Sequence, residues 1–198
     1  MGAQWFAILF ATDQSAFVAV GTLDPLAIEY FVQNGVTNTT EWNEVRSMAD
    51  QLWAHLNEPT VKKTLDSANQ PGRSSAEVQS VFLELASVLG FQSEAKGLFS
   101  GYASSALRPD YYRQLGNTGV LLEVERGKTT INNMDLLDFW KCHICEHASY
   151  LFLMVPLALR QNAVMAPRHE FAAVRKRLGS FFEPQNYTRV LGLVLFGY

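Results

Sequence analysis

Basic charge and cysteine are both scarce in this chain of 198 residues, and each scarcity narrows the choice of function. Lysine and arginine number 16 against 19 acidic residues, and the resulting net charge of −3 argues against broad non-specific binding of nucleic acid. A local basic surface is still compatible with this total. The two cysteines, Cys142 and Cys145, lie three residues apart in an expected helix. That spacing favours two thiols over a structural bridge and indicates an intracellular compartment.

Long hydrophobic runs are missing as well. The apolar segments 5–11 and 17–20 are separated by polar residues, and neither approaches the roughly 20 residues that a membrane helix needs. The first four residues, Met1 to Gln4, lack the positive charge of a signal peptide. We therefore expect a cytoplasmic protein with no membrane partner. Since 48% of the residues are apolar, a sizeable core in a single domain, 1–198, is expected.

Hydrophobic periodicity and turn signals divide the chain into an N-terminal elaboration, 1–73, and a core, 74–198. Asp24-Pro25 suits the start of a helix, and Ser74 with Glu77 forms a capping box. In the mainly helical elaboration we predict two strands and then three helices, at 5–11, 16–20, 24–33, 40–56 and 60–67. In the core we predict a helix, three strands, a helix, a strand, a helix and a strand, at 74–89, 91–99, 103–113, 119–125, 132–147, 150–155, 168–182 and 189–196. This order predicts an α/β fold with a mixed β-sheet flanked by helices.

Two carboxylates end the strand predicted over 119–125. Because successive side chains of a strand point to opposite faces, Glu123 and Glu125 lie on the same face. Thirteen residues before Glu123, the dipeptide Pro109-Asp110 adds a third carboxylate. Carboxylate oxygens that meet at a strand end are ligands suited to a divalent metal ion. A solvated strand face and an ordinary turn dipeptide are the alternatives for these residues.

Pro109-Asp110 and Glu123-Val124-Glu125, placed in this order of elements, resemble the PD-(D/E)xK nuclease superfamily, with Glu125 where the motif usually has lysine. The Bam and Bgl group of type II restriction endonucleases is the most similar branch, because some of its members also carry Glu or Gln there. The resemblance covers residues 74–156 and implies a restriction endonuclease-like fold that hydrolyses DNA with Mg²⁺, or with Mn²⁺ in its place. It implies that Asp110, Glu123 and the main-chain carbonyl of Val124 bind the metal.

The resemblance also implies roles for residues around the motif. Glu125 would act as a general base or help to hold a second metal ion. Lys128, three residues on, is a candidate for the missing positive charge, and Glu84 is preferred over the capping Glu77 as a carboxylate contributed by the preceding helix. Candidate DNA contacts follow the motif, at Arg126, Asn132, Asn133, Lys141 and His143.

Several of these residues have simpler explanations. Asn132 or Asn133 would cap a helix, and Arg126 and Lys128 would be solvated surface charges. The cluster of Cys142, His143, Cys145 and His147 suggests zinc, but helical spacing puts the two residue types on different faces, which favours structural cysteines. A basic face over 168–177 is either solvated or contacts phosphates. Four aromatic residues lie at helical spacing, which favours core positions: Trp42, Trp53, Phe139 and Trp140.

Three functions are compatible with this sequence. The first is a Mg²⁺-dependent endonuclease of the restriction type that acts on DNA as a homodimer, with one subunit for each strand. The second is a catalytically inactive nuclease-like scaffold with a binding or assembly role. The third is an enzyme that uses the same carboxylates on a substrate other than nucleic acid.

Overall fold

The computed structural model describes residues 26–93, 97–103, 107–127, 129–159 and 166–198, which form one six-stranded sheet packed against helices. The elements are β1 (Ala27–Val32), α1 (Thr40–Leu56), α2 (Pro59–Ala68), α3 (Ser75–Val88), β2 (Gln92–Ser93), β3 (Tyr111–Leu115), β4 (Thr118–Val124), α4 (Met134–Ile144), β5 (Tyr150–Val155), α5 (Glu170–Gly179) and β6 (Gly192–Gly197). The predicted α/β fold with a mixed sheet and flanking helices is confirmed. The strands predicted at 5–11 and 16–20 lie outside the described residues.

The sheet has the strand order β1-β6-β5-β4-β3-β2. Its centre is parallel, because α4 connects β4 to β5 and α5 connects β5 to β6. β1 is antiparallel to β6 at one edge, and the hairpin of β3 and β4 continues antiparallel to β2 at the other. The carboxyl ends of β4, β5 and β6 therefore lie along one edge, which is where sites gather in such sheets.

The sheet separates two hydrophobic cores. Along β5, Tyr150, Phe152 and Met154 belong to the core that includes α1, α2 and α3. Leu151, Leu153 and Val155 belong to the core that includes α4 and α5. All six side chains are buried, as predicted for a central strand covered on both faces. Each such apolar side chain stabilises the fold by about 1.5–3 kcal/mol through burial.

Local signals in the sequence placed several elements correctly. The Ser74 hydroxyl accepts a hydrogen bond from the amide of Glu77 and so caps α3, as predicted. Helix α1 has its predicted bounds, and the Thr39 hydroxyl caps it by accepting from the amide of Trp42. Gly116 has a φ of +55° and, with Asn117, forms the predicted turn between β3 and β4.

Two predicted elements are wrong. The helix predicted over 24–33 is the edge strand β1, whose run Ala-Ile-Glu-Tyr-Phe-Val pairs along the whole of β6. Aromatic and β-branched residues suit a strand, and this distant pairing outweighs the helix-start signal of Asp24-Pro25. The strand predicted over 91–99 is reduced to β2, two residues long, and residues 98–100 form a turn. Pro109-Asp110 precedes β3 instead of lying within a strand.

Candidate active site at the end of the hairpin

The β3–β4 hairpin brings Asp110 and Glu123 together. Tyr111 pairs with Leu122, so Asp110 lies opposite Glu123 in the antiparallel register. The amide of Asp110 donates a hydrogen bond to Oε2 of Glu123 over 3.0 Å. The amide of Val124 donates to Oδ2 of Asp110 over 2.8 Å. Each carboxylate thus accepts a hydrogen bond from a main-chain amide of the other segment. Asp110 and Glu123 are therefore neighbours, as the sequence predicted.

Glu125 follows β4 directly, and its main chain is fixed on both sides. Its amide donates to the carbonyl of Met154 over 2.9 Å, which extends the parallel pairing of β4 with β5. Its own carbonyl accepts from the Tyr198 hydroxyl over 2.6 Å. The Glu125 side chain points to the same cluster as Glu123 and interacts with Asp138 of α4. Alternation along β4 therefore predicted the shared face correctly.

Helix α4 contributes two further charged residues, Asp138 and Lys141, which are one helical turn apart. The Lys141 ammonium lies 2.9 Å from Oε1 of Glu123 and 2.8 Å from Oδ1 of Asp138. It also lies 3.4 Å from the carbonyl of Arg108, just before the Pro109-Asp110 dipeptide. Lys141 is only 7% exposed and Asp138 is fully buried. The cluster therefore consists of four carboxyl groups and one ammonium; Glu123, Asp138 and Lys141 are buried, and Asp110 and Glu125 are half-buried.

Burial dominates the electrostatics of this cluster. It raises the pKa of Asp110, against the hydrogen bonds from the Val124 amide and the Gln79 side chain of α3 and the charge of Lys141. Burial, followed by repulsion from Asp138, raises the pKa of Glu125 to about 8. Burial alone would lower the pKa of Lys141, but the two carboxylates that it touches raise it above its ordinary value. Lys141 is therefore charged.

Glu125 holds a proton at neutral pH, because its pKa is about 8. Burial and the Asp138 charge also raise the pKa of Glu123, but its direct contact with the charged Lys141 favours its ionised form. A protonated Glu125 can donate to Oδ2 of Asp138, which is buried and has no other hydrogen-bond donor.

The residues fit a divalent metal ion in donor type. The carboxylate oxygens are hard ligands, and among the described residues Glu125 is the one group that can donate to the buried Oδ2 of Asp138. Across the described ranges, however, no three acidic, histidine or cysteine side chains converge in an arrangement that could hold a metal ion as it stands. The ammonium of Lys141 occupies the position between Glu123 and Asp138. Binding of a metal would therefore require side chains of the cluster to move.

Other predicted site residues lie elsewhere. Lys128 falls outside the described residues. Glu84 is exposed on α3, and within the described ranges no hydrogen bond connects it to the cluster. Arg126 donates through Nη1 to the carbonyl of Arg73 and through Nη2, over 2.5 Å, to that of Gln70. Its guanidinium therefore holds the loop between α2 and α3 against the end of β4.

Two of the other predicted DNA contacts, Asn133 and His143, have partners within the protein. Asn132 is exposed, while Asn133 takes the N-cap position with a φ of +55° and does not cap with its side chain. Its side-chain oxygen accepts instead from Arg177, over 3.1 Å. Nδ1 of His143 accepts from the amide of Arg189 over 3.2 Å, near the opposite end of α4 from the loop that follows β4. Their roles in binding DNA stay predictions.

The basic face of 168–177 is largely neutralised. Arg175 lies 2.8 Å from Glu29, and Arg177 lies 3.0 Å from the buried Asp135. Glu170 is also buried, and it accepts hydrogen bonds from the amide and hydroxyl of Thr130, over 3.1 and 2.7 Å. The contacts of Glu170 attach α5 to the loop that follows β4. The two cysteines are buried, as predicted.

Asp138 and Gln79 are the site residues that the sequence analysis missed. Asp138 precedes Lys141 by three residues in the helix that follows the acidic strand, so both side chains lie on one face. That spacing was available in the sequence. Gln79 gives no comparable signal, because its approach to Asp110 depends on how α3 packs against the hairpin.

Comparisons with known proteins add a fold-level likeness. Neither the protein-family models nor the curated proteins include a match to this chain. Among solved structures, the chain is similar to the restriction endonuclease BglII, which was crystallised in complex with a DNA 16-mer. The two share 11% identity over 87% of this chain and 77% of that chain, with a TM-score of 0.47. At this identity and score the likeness gives no residue of this chain a role.

Proposed function

We propose that this protein is a metal-dependent endonuclease that hydrolyses phosphodiester bonds of DNA. The observation that carries the proposal is the mutual main-chain hydrogen bonding of Asp110 and Glu123 at the end of the hairpin. It holds two carboxylates side by side, with the Glu125 and Asp138 carboxylates and the Lys141 ammonium around them. The resemblance of the sequence to the PD-(D/E)xK motif supports DNA as the substrate.

Asp110, Glu123 and the main-chain carbonyl of Val124 would hold Mg²⁺, with Mn²⁺ as a substitute. When bound, the metal would polarise the scissile phosphate and lower the pKa of a water molecule. Glu125 holds a proton in the metal-free cluster; once the charge of the bound metal favours its ionised form, it would accept a proton from that water through its carboxylate. Its raised pKa of about 8 suits this role, because a base works best when its pKa lies near the operating pH.

We further propose that the protein acts as a homodimer, since one site in each subunit would allow both strands of a duplex to be cut. Sedimentation of the purified protein with and without a DNA duplex measures the number of subunits. A monomer that converts supercoiled plasmid only to the nicked form would contradict the dimer and leave the nuclease proposal intact.

The nuclease proposal is tested by incubating the protein with supercoiled plasmid and with Mg²⁺ or Mn²⁺. Asp110→Asn and Glu123→Gln preserve shape and remove charge, and each should lower the cleavage rate by at least about 100-fold. Glu84→Gln is the matched control, because the same change is made on the exposed face of α3. Thermal unfolding verifies that each variant is folded. Full activity in either cluster variant would disprove the assignment.

One observation favours the scaffold as the second candidate. Lys141 already pairs with Glu123 and Asp138, which gives these carboxylates a structural role without a metal ion. The scaffold predicts that calorimetry detects no binding of Mn²⁺ and that no nucleic acid is cut. Metal binding that disappears in Glu123→Gln would exclude it.

A further inference from the structure

The positive charge of the cluster is carried by Lys141, a residue of helix α4 and not of strand β4. In the motif that the sequence resembles, the residue at the position of Glu125 would be lysine. We propose that Lys141 of α4 takes over that function, contacting a non-bridging oxygen of the scissile phosphate, and that Asp138 is its positioning residue. This inference rests on the proposed nuclease function and names a catalytic residue for the same site.

Three acceptors from three parts of the chain fix the Lys141 ammonium. They are Oε1 of Glu123 at 2.9 Å, Oδ1 of Asp138 at 2.8 Å and the Arg108 carbonyl at 3.4 Å. A lysine ammonium has three donors, so all of them are engaged. The contact with Arg108 is the longest and is made to an uncharged oxygen. It is therefore the contact that the ammonium would exchange most readily for a charged phosphate oxygen.

Burial makes this ammonium more effective than a lysine on the surface. Lys141 is 7% exposed, and Glu123 and Asp138 are 3% and 0% exposed. In a site that excludes water, a fixed charge stabilises a developing negative charge more strongly and without reorganisation of solvent. A long surface lysine that binds a phosphate of the DNA backbone would have neither property.

Asp138 holds Lys141 from within the same helix. The two residues are three positions apart, and the Asp138 side chain is fully buried. If metal binding draws Glu123 away from Lys141, the contact with Asp138 still prevents the ammonium from leaving the cluster. Asp138 therefore acts through Lys141, and a change at Asp138 should affect the rate of the chemical step more than the binding of DNA.

The decisive experiment compares Lys141→Met and Lys141→Arg with wild type in three measurements: the single-turnover cleavage rate at saturating DNA, the affinity for Mn²⁺ and the affinity for a DNA duplex. For Lys141→Met we expect the rate to fall by about 100- to 1,000-fold, the loss typical of removing one transition-state donor. Its Mn²⁺ affinity should be equal or higher, because a competing positive charge is gone. DNA affinity should change by less than about threefold. Lys141→Arg should recover part of the rate.

Lys63→Met is the matched control, because Lys63 is exposed on α2. It should match the wild type in all three measurements. A purely structural role for Lys141 predicts that Mn²⁺ affinity and rate fall together, and a role in binding DNA predicts that the loss appears in DNA affinity. Either pattern would overturn the inference. If Lys141→Met does not fold, the double variant Lys141→Met/Asp138→Asn removes both charges of the pair and is measured in the same way.

Asp138 is tested by comparing Asp138→Asn, which keeps an acceptor for the ammonium, with Asp138→Ala, which does not. The rate at saturating DNA should fall more in Asp138→Ala, while the DNA concentration at half-maximal rate stays within about threefold of wild type. Equal rates in the two variants would exclude positioning by Asp138. If the wild type cuts no DNA with either metal, the nuclease proposal fails together with the catalytic role of Lys141. Cleavage that survives Lys141→Met overturns only the present inference.

Discussion

Glu125 should make the protein less stable as the pH rises, and Glu125→Gln should remove that dependence. Burial and Asp138 raise the pKa of Glu125 from the ordinary 4.5 to about 8 in the folded protein. Between these two values the folded state keeps a proton that the unfolded state has lost. The free energy of unfolding therefore decreases with pH over this interval and is unaffected by Glu125 below it.

The size of this decrease in the free energy of unfolding follows from the difference between the two pKa values of Glu125. Each pH unit changes the free energy of unfolding by about 1.4 kcal/mol for one proton, which gives a total of about 5 kcal/mol across the interval. Partial exposure of the side chain makes this an upper limit. The glutamine side chain of the variant cannot ionise, and its amide can still donate to Oδ2 of Asp138. Glu125→Gln should therefore equal wild type in acid and exceed its stability in mild alkali.

Urea unfolding in the presence of a chelator measures the difference between wild type and Glu125→Gln from about pH 5 to about pH 9. The control is Glu84→Gln, whose exposed side chain should leave the pH dependence of the wild type unchanged. If the stability of wild type and Glu125→Gln changes in parallel with pH, then Glu125 is not protonated against Asp138. The protonation state assigned to Glu125 would then be incorrect.

Three other substitutions test the contacts that support the site, and urea unfolding measures the stability of each variant. Arg126→Ala should lower stability by about 1–3 kcal/mol, because two main-chain carbonyls of the α2–α3 loop lose their donor, and unchanged stability would contradict that. Glu170→Ala should cost about 3–5 kcal/mol through loss of the buried partner of Thr130 and Arg168, and a cost below about 1 kcal/mol would refute its structural role. Gly119→Ala should cost about 1–3 kcal/mol, since a Cβ there would lie 2.7 Å from a main-chain oxygen of β3, and a stabilised variant would be incompatible with the hairpin packing.

The sequence predicted those parts of the fold that depend on local patterns. The continuous apolar run of β5 indicated a strand covered on both faces, and the Ser74 capping box marked the start of α3. β1 was missed because its stability comes from pairing with β6, more than 160 residues away, where Ala27 lies opposite Gly197. No property of residues 24–33 taken alone reveals that pairing.

The residues of the candidate site also divide into those that local patterns predict and those whose position depends on tertiary packing. Glu123 and Glu125 were placed on one face by alternation, and Asp110 was brought to Glu123 by a short hairpin. Lys141 was expected to contact DNA, but its side chain is directed into the cluster by the packing of α4 against the sheet. Apolar periodicity predicts which face of a helix is buried only when the charged residues lie on the exposed face. Otherwise tertiary contacts decide which face is buried.

Helix α4 is where periodicity and burial disagree, and the disagreement coincides with the cluster. Trp140, expected in the core, is 42% exposed, and Leu137 is 36% exposed. Asp138 and Lys141 are buried in their place. Burying a charge costs several kcal/mol for each ion unless the partners are well placed, so packing alone would have favoured the opposite face. In α4 the contacts of Asp138 and Lys141 with two strand carboxyl groups offset this cost. Helix α4 is therefore as much a part of the site as the Glu123-Val124-Glu125 strand end.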